Sequence, residues 1–245
     1  MANDRPKLLA VLIDADNVPA GYAEAIFEEI ASFGEASIRR IYGDFSRDGL
    51  KGWQKKLANL AIVPMQAPSN TKGKNSSDIA LVIDAMDILH TGRFDGFVLV
   101  SSDSDFTRLA SRIREQGIDV FGMGEQKTPE AFRRACKRFI YVENLTSGSA
   151  VGPEPAGGQL AAPRPAGKTL QPMDARGLIY RAMESIDQDD DWYSLGQIGQ
   201  HITAANPDFD PRNYGKKKLS DLMAELKTFE LRRGQGNQFE ARRID

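Results

Sequence analysis

The sequence is poor in the residues from which most redox and transition-metal centres are built. Cys136 is the only cysteine, so no internal disulfide and no thiolate zinc site can form. His90 and His201 are the only histidines, which excludes a histidine-rich zinc centre. Charge of one sign is missing too: a net charge of −2 lacks the basic excess that would by itself point to nucleic acid. No apolar run approaches the roughly 20 residues that a bilayer span needs. The stretch MANDRPKLLAVLIDADN has too short an apolar run for a signal peptide and carries acids where such a leader has none. The expectation is a cytoplasmic chain with no membrane association, in which any metal is held mainly by oxygen. Mg²⁺ and Mn²⁺ suit such donors.

What is present is ordinary globular material. Hydrophobic residues make up 41% and charged residues 27% of 245, enough for one medium domain and a small one. Residues 1–145 alternate two patterns. KLLAVLI (7–13), ASIRRIYGDF (36–45), LAIVPM (60–65), GFVLVSS (96–102), IDVFGM (118–123) and RFIYVEN (138–144) read as strands. Helical spacing falls near 21–33, 50–59, 77–90, 105–116 and 129–136. Apolar strands alternating with helices predict a doubly wound α/β domain, a parallel sheet with helices on both faces. Ligands of such sheets bind beyond the carboxyl ends of the strands.

Residues 146–172 change character. TSGSAVGPEPAGGQLAAPRPAGKTLQP cannot bury enough apolar surface to order itself and reads as a flexible linker, with a reach on the order of 30 Å. Residues 173–245 then show helical spacing over 173–186, 194–206 and 214–227. FELRR and QFEARRI follow, joined across GQGN as a hairpin. Three helices and a terminal hairpin describe a small winged helix-turn-helix domain.

Carboxylates gather where the sheet would expose its ligand site. The apolar run of strand one stops on Asp14, Asp16 and Asn17; Asp103 and Asp105 follow GFVLVSS; Asp78 opens the helix SDIALVIDAMDIL. If strands one and four are neighbours, Asp14 and Asp103 end side by side. Two like charges about 4 Å apart repel by roughly 4 kcal/mol at an effective dielectric of 20, so such a cluster calls for protons or a divalent cation. One or two Mg²⁺ ions could activate water and stabilise the leaving oxygen of a phosphodiester. Each acid alone also has a structural reading: Ser102-x-x-Asp105 as a capping box, Asp78 as a first-turn acid. Nothing about ending a strand, however, requires IDADN. Asp84, six residues beyond Asp78, lies about 120° around the helix and is expected to support the site or the fold rather than share a metal. Asp87 belongs to the solvated face.

LIDADN, KNSSDIALVIDAMDIL and SSDSDFTRLASRIREQG together resemble the NYN (LabA-like, DUF88) domain of the PIN-like nuclease superfamily over about residues 5–145. The resemblance implies a Rossmann-like sheet and metal-dependent ribonuclease chemistry. Carried over by position, it makes Asp14, Asp78, Asp103 and Asp105 metal ligands or water activators, with Asn17 orienting the first acid and Asp16 auxiliary. Ser102 stands where the family commonly has glycine.

Basic residues nearby have two readings. Lys72 and Lys74 precede Asp78 in a Gly-containing loop and could reach a phosphate. Arg47, Lys51, Lys55 and Lys56 with Trp53 could line a groove on which a base stacks, or form only a solvated helix face. Arg133, Arg134, Lys137 and Arg138 are equally ambiguous. WYSLGQIGQHITAANPDFDPRNYGKKKLSDLM is similar to the OST-HTH (LOTUS) domain, which implies RNA binding or docking to a protein partner. Leu219, Leu222, Met223 and Leu226 form its core stripe, Phe209 and Tyr214 are core anchors, and Gly215 is expected to allow close packing. Arg212, Lys216, Lys217 and Lys218, with Arg232 and Arg233, could contact phosphates. Eleven basic residues face thirteen acidic ones in 173–245, so bulk charge gives this module no pull on nucleic acid.

The leading reading is therefore a ribonuclease, expected to cut internally, with a tethered RNA-recruiting module. Two alternatives stand beside it. Asp14-Ala15-Asp16-Asn17-Val18 also fits the DxDx(T/V) pattern of haloacid dehalogenase-type phosphatases, with Asp14 as nucleophile and Asp16 as general acid. A catalytically silent RNA-binding adaptor is the other.

Overall fold

The computed structural model describes residues 5–67, 76–145, 169–188 and 190–244. The chain divides into two compact units, Met1–Arg164 and Pro165–Asp245.

In the first unit the strands are β1 (Leu8–Asp14), β2 (Glu35–Gly43), β3 (Val63–Gln66), β4 (Gly96–Val100), β5 (Asp119–Gly124) and β6 (Arg138–Tyr141). They pair in parallel in the order β3-β2-β1-β4-β5-β6. The helices are α1 (Ala23–Ile30), α2 (Lys51–Leu57), α3 (Ser76–His90), α4 (Thr107–Glu115) and α5 (Glu130–Ala135). Successive side chains of a strand point to opposite faces, and β1 has apolar residues on both. Leu9, Val11 and Ile13 pack with Ile26 and Ile30 of α1 and Trp53 of α2. Ala10 and Leu12 pack with Leu81, Ala85 and Ile88 of α3, with Leu109 and Ile113 of α4, and with Phe132 of α5. The expected doubly wound sheet is the observed one. Strand order reverses between β1 and β4, and that switch point is where such sheets open a crevice.

The second unit holds α6 (Arg176–Glu184), β7 (Tyr193–Ser194), α7 (Leu195–Ala205), α8 (Leu219–Leu226), β8 (Phe229–Arg233) and β9 (Phe239–Arg243). The three strands form an antiparallel sheet in the order β7-β9-β8. Phe209, Tyr214, Leu222, Met223 and Leu226 are buried with Ile179, Ile198 and Ile202. Two details differ from the sequence reading. The third helix starts at Leu219 rather than near 214, because Gly215 adopts φ +71° and ends a short 3₁₀ turn over Pro211–Tyr214. That glycine is needed for its left-handed backbone, not for close packing. The two-residue strand β7 carries no periodicity by which it could be seen in sequence.

The predicted linker lies outside the described residues over 146–168. Its last residues belong to the second unit: the Leu170 amide donates to the Asn213 carbonyl over 2.8 Å, and the Gln171 amide donates to Asp174 Oδ2 over 3.0 Å. Among the described residues no helix is long and apolar enough to cross a membrane.

Candidate active site

Strand β1 delivers Asp14 to the carboxyl edge of the sheet, 1% exposed. A buried carboxylate needs partners, and this one has three. Oδ1 accepts the Asp16 amide over 3.2 Å; Oδ2 accepts Asn17 Nδ2 and Ser101 Oγ, each over 2.7 Å. Burial raises the carboxyl above its ordinary range, and these hydrogen bonds pull the other way. Asn17 is thus in direct hydrogen-bond contact with the first acid. Asp16 is exposed and contributes its backbone amide.

Strand β4 lies directly beside β1, with Ile13 opposite Val100. Its continuation carries Ser101, Ser102, Asp103 and Asp105. Ser101 was absent from the sequence reading, although a hydroxyl one residue past β4 and level with the end of β1 is the signal that could have found it. Its Oγ also accepts the Asp103 amide over 3.1 Å. Asp103 caps the short 3₁₀ turn that leads into α4, its Oδ1 accepting the Asp105 amide over 2.9 Å. The capping box expected from Ser102 does not form: the Ser102 hydroxyl instead accepts the Glu125 amide over 2.9 Å and ties the end of β4 to that of β5.

Helix α3 supplies Asp78 in its first turn. Asp78, Asp103 and Asp105 each place a carboxylate oxygen within 4.8 Å of the others. Asp14 is not a member of that triplet. It stands close enough, however, that its charge is the strongest of the four acidic charges acting on Asp78, ahead of Asp103, Asp105 and Asp16. Burial first, then these charges, push the Asp78 carboxyl up to about 6. So β1, β4 and α3, remote in sequence, bring the four acids to one edge.

The basic candidates fare differently. Lys72 and Lys74 lie outside the described residues. Trp53 is a core residue, 2% exposed, donating Nε1 to the Val18 carbonyl over 2.9 Å; it is no stacking platform. Arg47, Lys51 and Lys56 pair with Asp44, Asp48 and Glu24. Arg134 and Lys137 pair with Glu130 and Asp119, and Arg138 lies over the Phe33 ring. In the second unit Arg212 grips buried Asp210 with both arms of its guanidinium, Nε to Oδ1 over 3.0 Å and Nη2 to Oδ2 over 2.7 Å. Lys216 pairs with Glu225, and Arg232 pairs with Glu240 while lying 4.0 Å from the Trp192 ring centre. Lys217 and Lys218 are exposed. They precede α8, with Lys218 as its N-cap.

A family model for the NYN domain matches residues 8–143, and one for the OST-HTH/LOTUS domain matches residues 174–240. The chain belongs to the NYN domain family, which falls in the PIN-like nuclease superfamily, and carries an OST-HTH/LOTUS domain after it. No protein of curated function matches the chain. Among solved structures, a Vibrio parahaemolyticus protein of unknown function is similar at 23% identity and TM-score 0.48, covering 58% of this chain and 96% of its own. MurG from Acinetobacter baumannii is similar at 14% identity and TM-score 0.38, covering 83% of this chain and 65% of its own. Both likenesses are too loose to inform the chemistry.

Proposed function

We propose that the first domain is a divalent-metal-dependent ribonuclease that cuts internally, and that the OST-HTH/LOTUS module recruits its RNA. The observation that carries this reading is the meeting of Asp78, Asp103 and Asp105 oxygens within 4.8 Å at the carboxyl edge of a parallel sheet. The donor set fits Mg²⁺ or Mn²⁺: it is all carboxylate, and the repulsion that adds to burial in raising Asp78 is what a bound cation relieves. Asp78, Asp103 and Asp105 would hold the ion, with Asp14 adjoining. When bound, it would supply Lewis-acid stabilisation of phosphate charge and a water made acidic enough to attack.

The protein's own part is positioning. Ser101 and Asn17 hold the Asp14 carboxylate in one orientation, and the Asp105 amide holds that of Asp103. Ionised Asp14, beside the triplet, would accept a proton from attacking water. The phosphatase alternative loses support. The family match over residues 8–143 is to the NYN domain, and the helix that carries Asp78 has no role in the phosphatase scheme.

The test is cleavage of end-labelled single-stranded RNA with Mn²⁺, Mg²⁺ or EDTA, using wild type and folded Asp14→Asn and Asp103→Asn variants. Cleavage only with metal, lost in both variants, is expected, and cutting of a circular RNA would mark internal attack. RNA binding without cleavage under any metal would leave the adaptor reading in its place.

A further inference from the structure

The Asp84 carboxylate is held from two sides by strand β2: Arg40 donates to Oδ1 and the Tyr42 hydroxyl donates to Oδ2. Tyr42 is fully buried and stands opposite Asp14 in the β1–β2 register. Its backbone carbonyl accepts the Ala15 amide over 3.0 Å. One residue therefore binds the turn that carries Asp14 through its backbone and the helix that carries Asp78 through its side chain.

The helix needs such a hold. The buried residues of α3 are Leu81, Ala85 and Ile88, so Asp78 stands a turn before the first of them. Ile79 and Ile83 are exposed. Ahead of Leu81 the Asp78 end has only the partly buried Ala80 for apolar anchoring, and it faces the charges of Asp14, Asp103, Asp105 and Asp16. We propose that Asp84, gripped by Tyr42 and Arg40, is a positioning residue that keeps Asp78 against Asp14 and Asp103 before any cation arrives. This rests on the nuclease reading for its consequence in catalysis, but the clamp itself is a property of the metal-free fold.

Hydrogen exchange of metal-free full-length protein tests it, comparing wild type, Tyr42→Phe and Asp84→Asn. The amides of residues 80–84, which bond the carbonyls of the first helical turn, should exchange about tenfold faster in both variants, with β4 and residues 86–90 unchanged. Mn²⁺ affinity, read by electron paramagnetic resonance, should fall about tenfold. In RNA cleavage the Mn²⁺ concentration for half-maximal rate should rise, with recovery at excess Mn²⁺ and KM for RNA unchanged. A role in general stability alone would instead lower the rate equally at every Mn²⁺ concentration. Wild-type exchange at 80–84 in both variants overturns the clamp whatever cleavage shows, and so does a rise spread evenly over the domain. If wild type neither binds Mn²⁺ nor cleaves, the nuclease reading fails while the exchange data still decide the clamp.

Discussion

The Ser101 hydroxyl donates to Asp14 Oδ2 over 2.7 Å, joining the residue that ends β1 to the first residue beyond β4. Because the Ser101 Oγ also accepts the Asp103 amide, one small side chain sets two acids of the site. Ser101→Ala should therefore destabilise the domain by about 1.5–3 kcal/mol at pH 7, the cost of a hydrogen bond to a buried charged group. The bond favours ionised Asp14, so the loss should shrink as pH falls and the carboxyl takes its proton. Urea unfolding at pH 4.5 and 7 checks both size and sign, and RNA cleavage should fall with it.

Asp78 makes the opposite prediction. Its folded carboxyl titrates at about 6 against 3.8 unfolded, so between those values the unfolded chain has released a proton that the fold retains. Stability from this group is present at low pH and lost as pH rises through about 6. Asp78→Asn should thus stabilise the metal-free protein at pH 7.5 by about 1–2 kcal/mol, discounted for solvent screening at a partly exposed site. At pH 4 the gain should vanish. Unfolding in EDTA at the two pH values measures it.

Metal addition should reverse that ranking. Mn²⁺ at about 100 times its dissociation constant should stabilise wild type by about 2.7 kcal/mol at pH 7.5. The increment should fade below pH 6, where the Asp78 carboxyl is protonated, and be nearly absent in Asp78→Asn. Thermal melts with and without Mn²⁺ across pH 5–8 test this.

At Gly124, the end of β5, a Cβ would come within 2.4 Å of the Ser101 carbonyl oxygen and 2.8 Å of Thr128 Oγ1. Gly124→Ala should push Ser101 away from Asp14, costing about 1–3 kcal/mol of stability. Cleavage should fall more steeply than stability, as a rate assay below the melting range would reveal.

In the OST-HTH/LOTUS domain the basic residues should separate into two kinds. Arg212→Ala leaves Asp210, 4% exposed, without its guanidinium and should cost about 3–5 kcal/mol, seen as a lower melting temperature. Lys217→Glu with Lys218→Glu should leave melting within about 0.5 kcal/mol and weaken RNA binding several-fold at low salt. Fluorescence anisotropy with a labelled RNA would show the difference.

Most of the architecture was legible because its signals are local. A run such as LLAVLI buries both faces, the alternation with helical spacing demands a parallel sheet, and IDADN and SSDSDF place acids at strand ends. The features that residue order leaves open are those that side-chain partners decide. Trp53 looked available on a charged helix, but it closes the core against Val18, 35 residues away. Arg212 reads in sequence as a candidate for phosphate, and in the fold its guanidinium lies against Asp210 as a bidentate pair that satisfies a buried carboxylate.

Residue order alone thus determined the element types, the doubly wound class and the two modules, and it put aspartates at the ends of two strands and the start of a helix. Tertiary structure alone decided that β1 pairs with β4, that Ser101 rather than Ser102 reaches Asp14, and that Tyr42 and Arg40 hold Asp84. The reason is physical. Periodicity and strand-end chemistry act within a few residues, whereas charge neighbours and hydrogen-bond partners exist only once the sheet brings segments some 90 residues apart to the same edge.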